Sequence, residues 1–272
     1  VRIIDSHTHF FPGKVAEEAI PKIEATSGCM AYTDGTRAGL IRSMDAAGIQ
    51  CSVVLPVATN PEKVSSINRF SASLNDSRLH MAGALHPKAD HWREQLEVVI
   101  QLGFSAVKLH PDYQEFYPDD PNLLPFFAAL RDNDLLVVIH AGEDLSYKPP
   151  YGGGPARIAR LMENLPGIKI FAGHMGGYRM WDEVDRCLVG KPVYMDTSFS
   201  FGEMSDERIR SMIGRHGAEY VLFGTDSPWL DQATEIKNIL RLGLGSAVEE
   251  MIFYDNAVRL LPAIAGQGLS NK

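Results

Sequence analysis

Cysteine is scarce in this chain: Cys29, Cys51 and Cys187 are odd in number and show no CxxC spacing. That excludes a disulfide framework and a cysteine-built zinc finger, and it fits reduced thiols in a cytoplasmic protein. Long apolar runs are missing too. "LLVVI" falls far short of the roughly 18 residues a membrane span needs, and no charged segment followed by an apolar one precedes "RIID", so no export signal is expected. Clusters of Lys and Arg are absent and the formal net charge is −8, which argues against nucleic acid or a membrane surface as partner. No G-x-G-x-x-G or Walker loop follows the first apolar run, so the usual phosphate-binding signature is lacking as well. A small-molecule substrate is the expected partner.

What is present is an ordinary globular composition, 45% hydrophobic and 22% charged, over 272 residues. Short apolar runs recur: "RIID", "CSVVLPV", "MAGALHP", "SAVKLHP", "LLVVIHAG", "IKIFAGHMGG", "PVYMDTS" and "YVLFGTDSP". Their β-branched content and turn-rich flanks predict buried strands. Segments such as "HWREQLEVVIQLG" and "PARIARLMENL" carry apolar residues at helical spacing. Repeated β-then-α order implies parallel strands, and eight repeats predict an α/β fold of the (β/α)8 TIM-barrel type. A doubly wound open sheet is the rival. Residues 13–49 predict two helical stretches before the second strand, and the tail from Gly245 predicts further helix. With no linker or composition change, residues 1–272 read as a single domain.

The ionisable residues sit at particular places in that pattern. In "DSHTH" a period of two puts Asp5, His7 and His9 on one face of the first strand. Two imidazoles on one spot can grip one metal ion, and two hydrogen-bonded core histidines are the plainer alternative. His86, His110, His140 and His174 also end predicted strands, at the edge where a barrel keeps its active site. Lys108 shares a face with His110, and Leu222, Gly224 and Asp226 share another. A divalent cation would offset the carboxylate and occupy the imidazole lone pairs. Asp5 reads either as a group that orients an imidazole or as a buried, hydrogen-bonded acid. The loops add Arg179, Trp181 and Trp229, which suit a planar or carboxylated substrate, with "AGEDLSYKPPYGGGP" a candidate lid.

Taken together, "IIDSHTHF", "VKLHP", "VVIHAG", "FAGHMGG", "YMDTS" and "LFGTDSPW" resemble the amidohydrolase superfamily. The likeness is to its amidohydrolase-related branch, which includes aminocarboxymuconate-semialdehyde decarboxylase. The resemblance implies His7, His9, His140 and Asp226 as metal ligands. It implies His174 as either a catalytic group near the substrate or a ligand of a second ion. Lys108 is either a carboxylated bridge between two ions or a substrate-orienting group; His110, which faces the same way, reads as a group supporting a ligand from behind, a substrate contact or a purely structural histidine.

The implied activity is a metal-dependent hydrolase. It would act on a small amide, cyclic amide, ester or lactone, with Asp226 accepting a proton from water and His174 assisting. The alternative is a metal-dependent non-oxidative decarboxylase of a small unsaturated or aromatic acid, and a more remote one is a non-catalytic ligand-binding barrel. Zinc is the first expectation, one ion or two, with manganese, iron or cobalt compatible. A homodimer is a weak expectation.

Overall fold

The computed structural model describes residues 1–74 and 76–267. Nine strands are found among them: β1 (Ile4–Thr8), β2 (Cys51–Val54), β3 (Leu79–Met81), β4 (Gly83–Ala84), β5 (Ala106–Leu109), β6 (Leu136–Ile139), β7 (Ile170–Ala172), β8 (Tyr194–Asp196) and β9 (Val221–Leu222). Each predicted run supplies a strand; the third supplies β4, and β3 begins two residues before that run. Two helices, α1 (Gly13–Ser27) and α2 (Arg37–Ala47), fill the space before β2 as expected. One helix follows nearly every later strand: α3 (Val64–Ser73), α4 (Trp92–Gln101), α5 (Leu124–Asp132), α6 (Pro155–Asn164), α7 (Trp181–Cys187), α8 (Asp206–His216) and α9 (Gln232–Arg241). The tail holds α10 (Ser246–Glu250), a π-turn over Met251–Asp255 and α11 (Asn256–Leu260). Strand-then-helix order with parallel pairing is the (β/α)8 class. No helix among the described residues is long and apolar enough to cross a membrane.

The chain groups into two compact units built from interleaved segments. Unit 1 comprises Val1–Val54, Asp76–His80 and Asp196–Lys272, and unit 2 comprises Leu55–Asn75 and Met81–Met195.

In unit 1, β1 pairs with β2 in parallel, Ile4 opposite Cys51. On its other side the Ser6 amide donates to Phe223 O at 2.8 Å. Ile4, Leu40, Met44, Val53, Phe223 and Phe253 are buried, so the sheet packs on α2 and the π-turn through apolar contact. α2 starts where Thr36 accepts from the Gly39 amide, and α9 where Asp231 accepts from Ala233 and Thr234.

In unit 2, β4 to β8 lie side by side and parallel. Both faces of β5 and β6 are buried, which is why they read as continuous apolar runs and not as alternating ones. Lys108 stands opposite Val138, so two residues further on His110 and His140 are neighbours.

Candidate active site

In unit 1 the end of β1 is tied to the turn after β9. The Asp226 amide donates to His7 O at 2.7 Å, and the His9 amide to Ser227 O at 2.6 Å. Asp226 has φ of +57°, a left-handed conformation that a non-glycine residue adopts at a cost of order 1–3 kcal/mol. The result is convergence: His9 Nε2 lies 2.9 Å and His7 Nε2 3.5 Å from Asp226 Oδ1. Gly224 makes room for this, since a Cβ there would stand 2.8 Å from Asp196 Cβ and 3.0 Å from His7 Cβ.

Behind His7 stands Asp196, fully buried at the end of β8, its Oδ2 2.6 Å from His7 Nδ1. A carboxylate accepts, so Nδ1 carries the proton and Nε2 keeps its lone pair towards Asp226. Asp196 is itself held by the Ser198 amide at 2.9 Å and by the Ser198 hydroxyl.

Asp196 takes the place behind the imidazole, and Asp5 follows the second of its two readings, a buried, hydrogen-bonded acid. Its Oδ1 accepts from the His7 and Thr225 amides at 3.2 and 3.1 Å, and its Oδ2 from Thr225 and Gln232 at 2.5 and 2.7 Å. Asp5 therefore fastens backbone and loop, and its oxygens are taken up before an imidazole can use them. Burial pushes its carboxyl up to about 7 against the pull of those hydrogen bonds. Trp229, half-buried, donates its amide to Asp226 O at 3.0 Å.

In unit 2 the ends of β5, β6 and β7 bring Lys108, His110, His140 and His174 together. Lys108 is 1% exposed. The His110 and His140 rings stack at 4.1 Å and 10°, and Tyr113 covers the other face of His110 at 4.0 Å and 12°. His140 Nε2 lies 3.2 Å from Glu143 O, a carbonyl that only accepts, so Nδ1 holds the lone pair. That Nδ1 lies 3.0 Å from His174 Nε2. Burial, then His110 and His174, hold His140 well below the usual imidazole value, so it is neutral at pH 7. His174, like Asp226, has a left-handed backbone, φ +59°.

The segment after β6 closes over its own strand end. Gly142, at φ +89°, is required there, because a Cβ would lie 2.1 Å from Tyr178 N. From this loop Asp144 reaches back, Oδ2 3.2 Å from His110 Nε2.

The remaining predicted contacts take these places. Trp181 is buried and its Nε1 donates to His174 O at 3.1 Å, so it supports the histidine's loop from behind. Arg179 is exposed, its guanidinium 5.0 Å from the Tyr178 ring centroid. His86 accepts the Lys88 amide at 3.3 Å within a turn. Burial pushes the Cys51 thiol up to about 12, which leaves it inert as a nucleophile.

Sequence reasoning missed Asp196 and Asp144. Asp196 carried the same signal as the histidines, an acid ending a predicted strand in "YMDTS". Asp144 lies five residues past the end of β6, where strand-end reasoning does not reach.

The donor set fits a divalent metal ion. Two ligand atoms each about 2.0–2.1 Å from one ion, at angles between square and tetrahedral, stand about 2.9–3.4 Å apart. The 2.9 and 3.5 Å spacings of His9 and His7 from Asp226 Oδ1 are close to that range.

Comparison with known proteins agrees with this fold. An uncharacterized TIM-barrel protein from Bordetella bronchiseptica is similar in structure, with a TM-score of 0.76 at 19% identity, covering 98% of this chain and 100% of its own. The 2,6-dihydroxybenzoate decarboxylase from Rhizobium has a TM-score of 0.70 at 18% identity, over 96% of this chain and 99% of its own. The 5-carboxyvanillate decarboxylase from Novosphingobium aromaticivorans, with bound manganese, has a TM-score of 0.71 at 16% identity, over 95% and 96%. These likenesses establish the barrel fold. No curated protein sequence matches. The amidohydrolase family Amidohydro_2 matches residues 4–263, nearly the whole length, and the chain belongs to that family of enzymes.

Proposed function

We propose that the enzyme is a metal-dependent, non-oxidative decarboxylase of a small unsaturated or aromatic carboxylic acid. The observation that carries this reading is the flat stack of His140, His110 and Tyr113, with the buried Lys108 two residues before His110. Near-parallel rings suit a planar substrate, and a lysine amine suits its carboxylate. The two decarboxylases among the similar structures support it, and the manganese in one of them agrees with the donor set.

His7, His9 and Asp226 would hold the ion, with His140 as the further ligand that family likeness assigns. Zinc, manganese, iron and cobalt all accept such a set. A divalent ion there supplies positive charge that polarises a substrate oxygen. Lys108 orients the acid, and the stack fixes its plane. The carbon–carbon bond to the carboxylate breaks, carbon dioxide departs, and the electron pair remains on the substrate carbon. That carbon takes a proton from His174, which recovers it from solvent, while Asp226 balances charge at the ligand cluster.

The test is a panel of hydroxybenzoic and unsaturated dicarboxylic acids, with lactones and N-acyl amides as the comparison, run in deuterated water. One carbon dioxide per product, with deuterium on the carbon that lost its carboxylate, is the expected result. Ring opening or amide cleavage without carbon dioxide would replace decarboxylation by hydrolysis.

A further inference from the structure

Asp144, on the segment after β6, has no part in the chemistry above, yet both its oxygens are committed. Oδ1 accepts the Ser146 amide at 2.7 Å, closing a tight turn, and Oδ2 meets His110 Nε2 at 3.2 Å. His110 Nδ1 accepts the Tyr113 amide at 3.4 Å, so Nε2 is the nitrogen that donates to Asp144. With both nitrogens engaged, the His110 ring has a set plane.

One face of that plane lies on Tyr113 and the other on His140, only 10° from parallel. Of the two nitrogens of His140, Nε2 is bonded to Glu143 O and Nδ1 faces His174 Nε2 at 3.0 Å, so once Nδ1 is given to an ion one hydrogen bond remains, at Nε2. A single bond at one corner leaves an imidazole free to swing about Cβ–Cγ, and a ring stacked against its face removes that freedom. The geometry points to Asp144 as a positioning residue that acts through His110 to hold the plane of His140 and so aim its Nδ1. The inference rests on reading His140 as a metal ligand.

The donors of His110, His140 and Asp144 also lie within 4.8 Å of one another. They do not make a separate ion site. His140 Nε2 gives its proton to Glu143 O, and two near-parallel rings 4.1 Å apart do not aim their in-plane lone pairs at one point.

Cobalt(II) titrated into the metal-free full-length chain tests this, read as affinity and as the visible absorption of the bound ion. His140→Ala should weaken binding more than about 100-fold. Asp144→Ala should weaken it about 10-fold and shift the absorption, in the range seen when groups behind a metal ligand are removed. His110→Phe keeps a ring in the stack but releases it from Asp144; it should shift the absorption, and in that background Asp144→Ala should add nothing. Wild-type affinity and absorption in Asp144→Ala overturn the inference, as does an equal loss in both backgrounds. Should Asp144→Ala not fold, an unchanged absorption in His110→Phe overturns it. Unchanged binding in His140→Ala overturns the reading of that histidine, and the inference with it.

Discussion

The two histidine clusters are held by different chemistry. In unit 1, His7 leans on the charged carboxylate of Asp196. In unit 2, His140 leans on a backbone carbonyl and on the flat face of His110. A carboxylate behind an imidazole raises its basicity and strengthens it as a ligand, whereas a carbonyl fixes the tautomer and contributes less charge. Burial and two neighbouring histidines further hold His140 neutral. On the proposed reading, unit 1 grips the ion and unit 2 presents a neutral nitrogen beside a planar wall.

The largest break in that comparison comes from Asp226→Asn. It removes the one negative charge on which His7 and His9 converge, so metal retained after dialysis should fall by more than about 100-fold in affinity, and turnover should go with it. Metal content measured by plasma mass spectrometry checks this; a full complement of ion in the variant would remove Asp226 from the ligand set.

Asp196→Asn comes next. Loss of the carboxylate behind His7 should weaken metal binding about 10- to 100-fold. Glu143→Ala should change it less than about twofold, because His140 uses the Glu143 backbone and not its side chain. Equal effects from the two substitutions would erase the contrast between the clusters.

How much of this was legible in the sequence follows from what kind of signal each residue sends. Strands β1, β5, β6 and β7 announce themselves as apolar runs ending in histidine, and the period of two aligns Lys108 with His110 and places His7 with His9. Asp196 sends the same strand-end signal, but its partner is His7, and pairing across distant segments is a property of the folded sheet that period counting along one strand does not contain. Asp5 shows the converse. Its alternation beside His7 is real, yet Thr225 and Gln232 use its oxygens first. Trp181 reads as a substrate contact because it follows a strand-end histidine, and it supports that histidine's carbonyl because α7 begins there. Asp144 is out of reach of any periodicity, since a loop's course is set by close approaches such as Gly142 on Tyr178.

A smaller effect concerns the acids behind the clusters. Glu235 on α9 is buried, its Oε1 accepting from Asn238 at 2.9 Å while its Oε2 has no hydrogen-bond partner among the described residues. Burial pushes its carboxyl up to about 7, with the Asn238 hydrogen bond pulling the other way. An acid whose folded value lies above its unfolded value, about 4.3, takes up a proton on folding between the two. Stability therefore falls as pH rises through that window and levels off above it. Glu235→Gln should be more stable than the parent near pH 8, by on the order of 1–2 kcal/mol, with the gap closing towards pH 4. Chemical denaturation at both pH values measures it, and an equal gap at both would mean that the carboxyl is ionised in the fold. In unit 2, Asp112 Oδ2 is likewise without a hydrogen-bond partner among the described residues and its carboxyl is likewise raised by burial, so Asp112→Asn should move stability in the same direction.

The smallest expected effect separates the two contacts of one loop. Tyr147 lies three residues beyond Asp144, 41% exposed, its ring 5.4 Å from Tyr113 at the outer end of the stack. It touches the wall but not His110 or His140 in the way Asp144 does. If the outer stack serves the substrate and the inner stack serves the ligand, Tyr147→Ala should raise KM about two- to fivefold, leaving kcat and cobalt affinity within about twofold of the parent, the scale of a lost aromatic contact near solvent. Loss of cobalt affinity in Tyr147→Ala would mean that the whole loop acts as one body on His140, and the division of labour within unit 2 would have to be redrawn around the loop and not around Asp144.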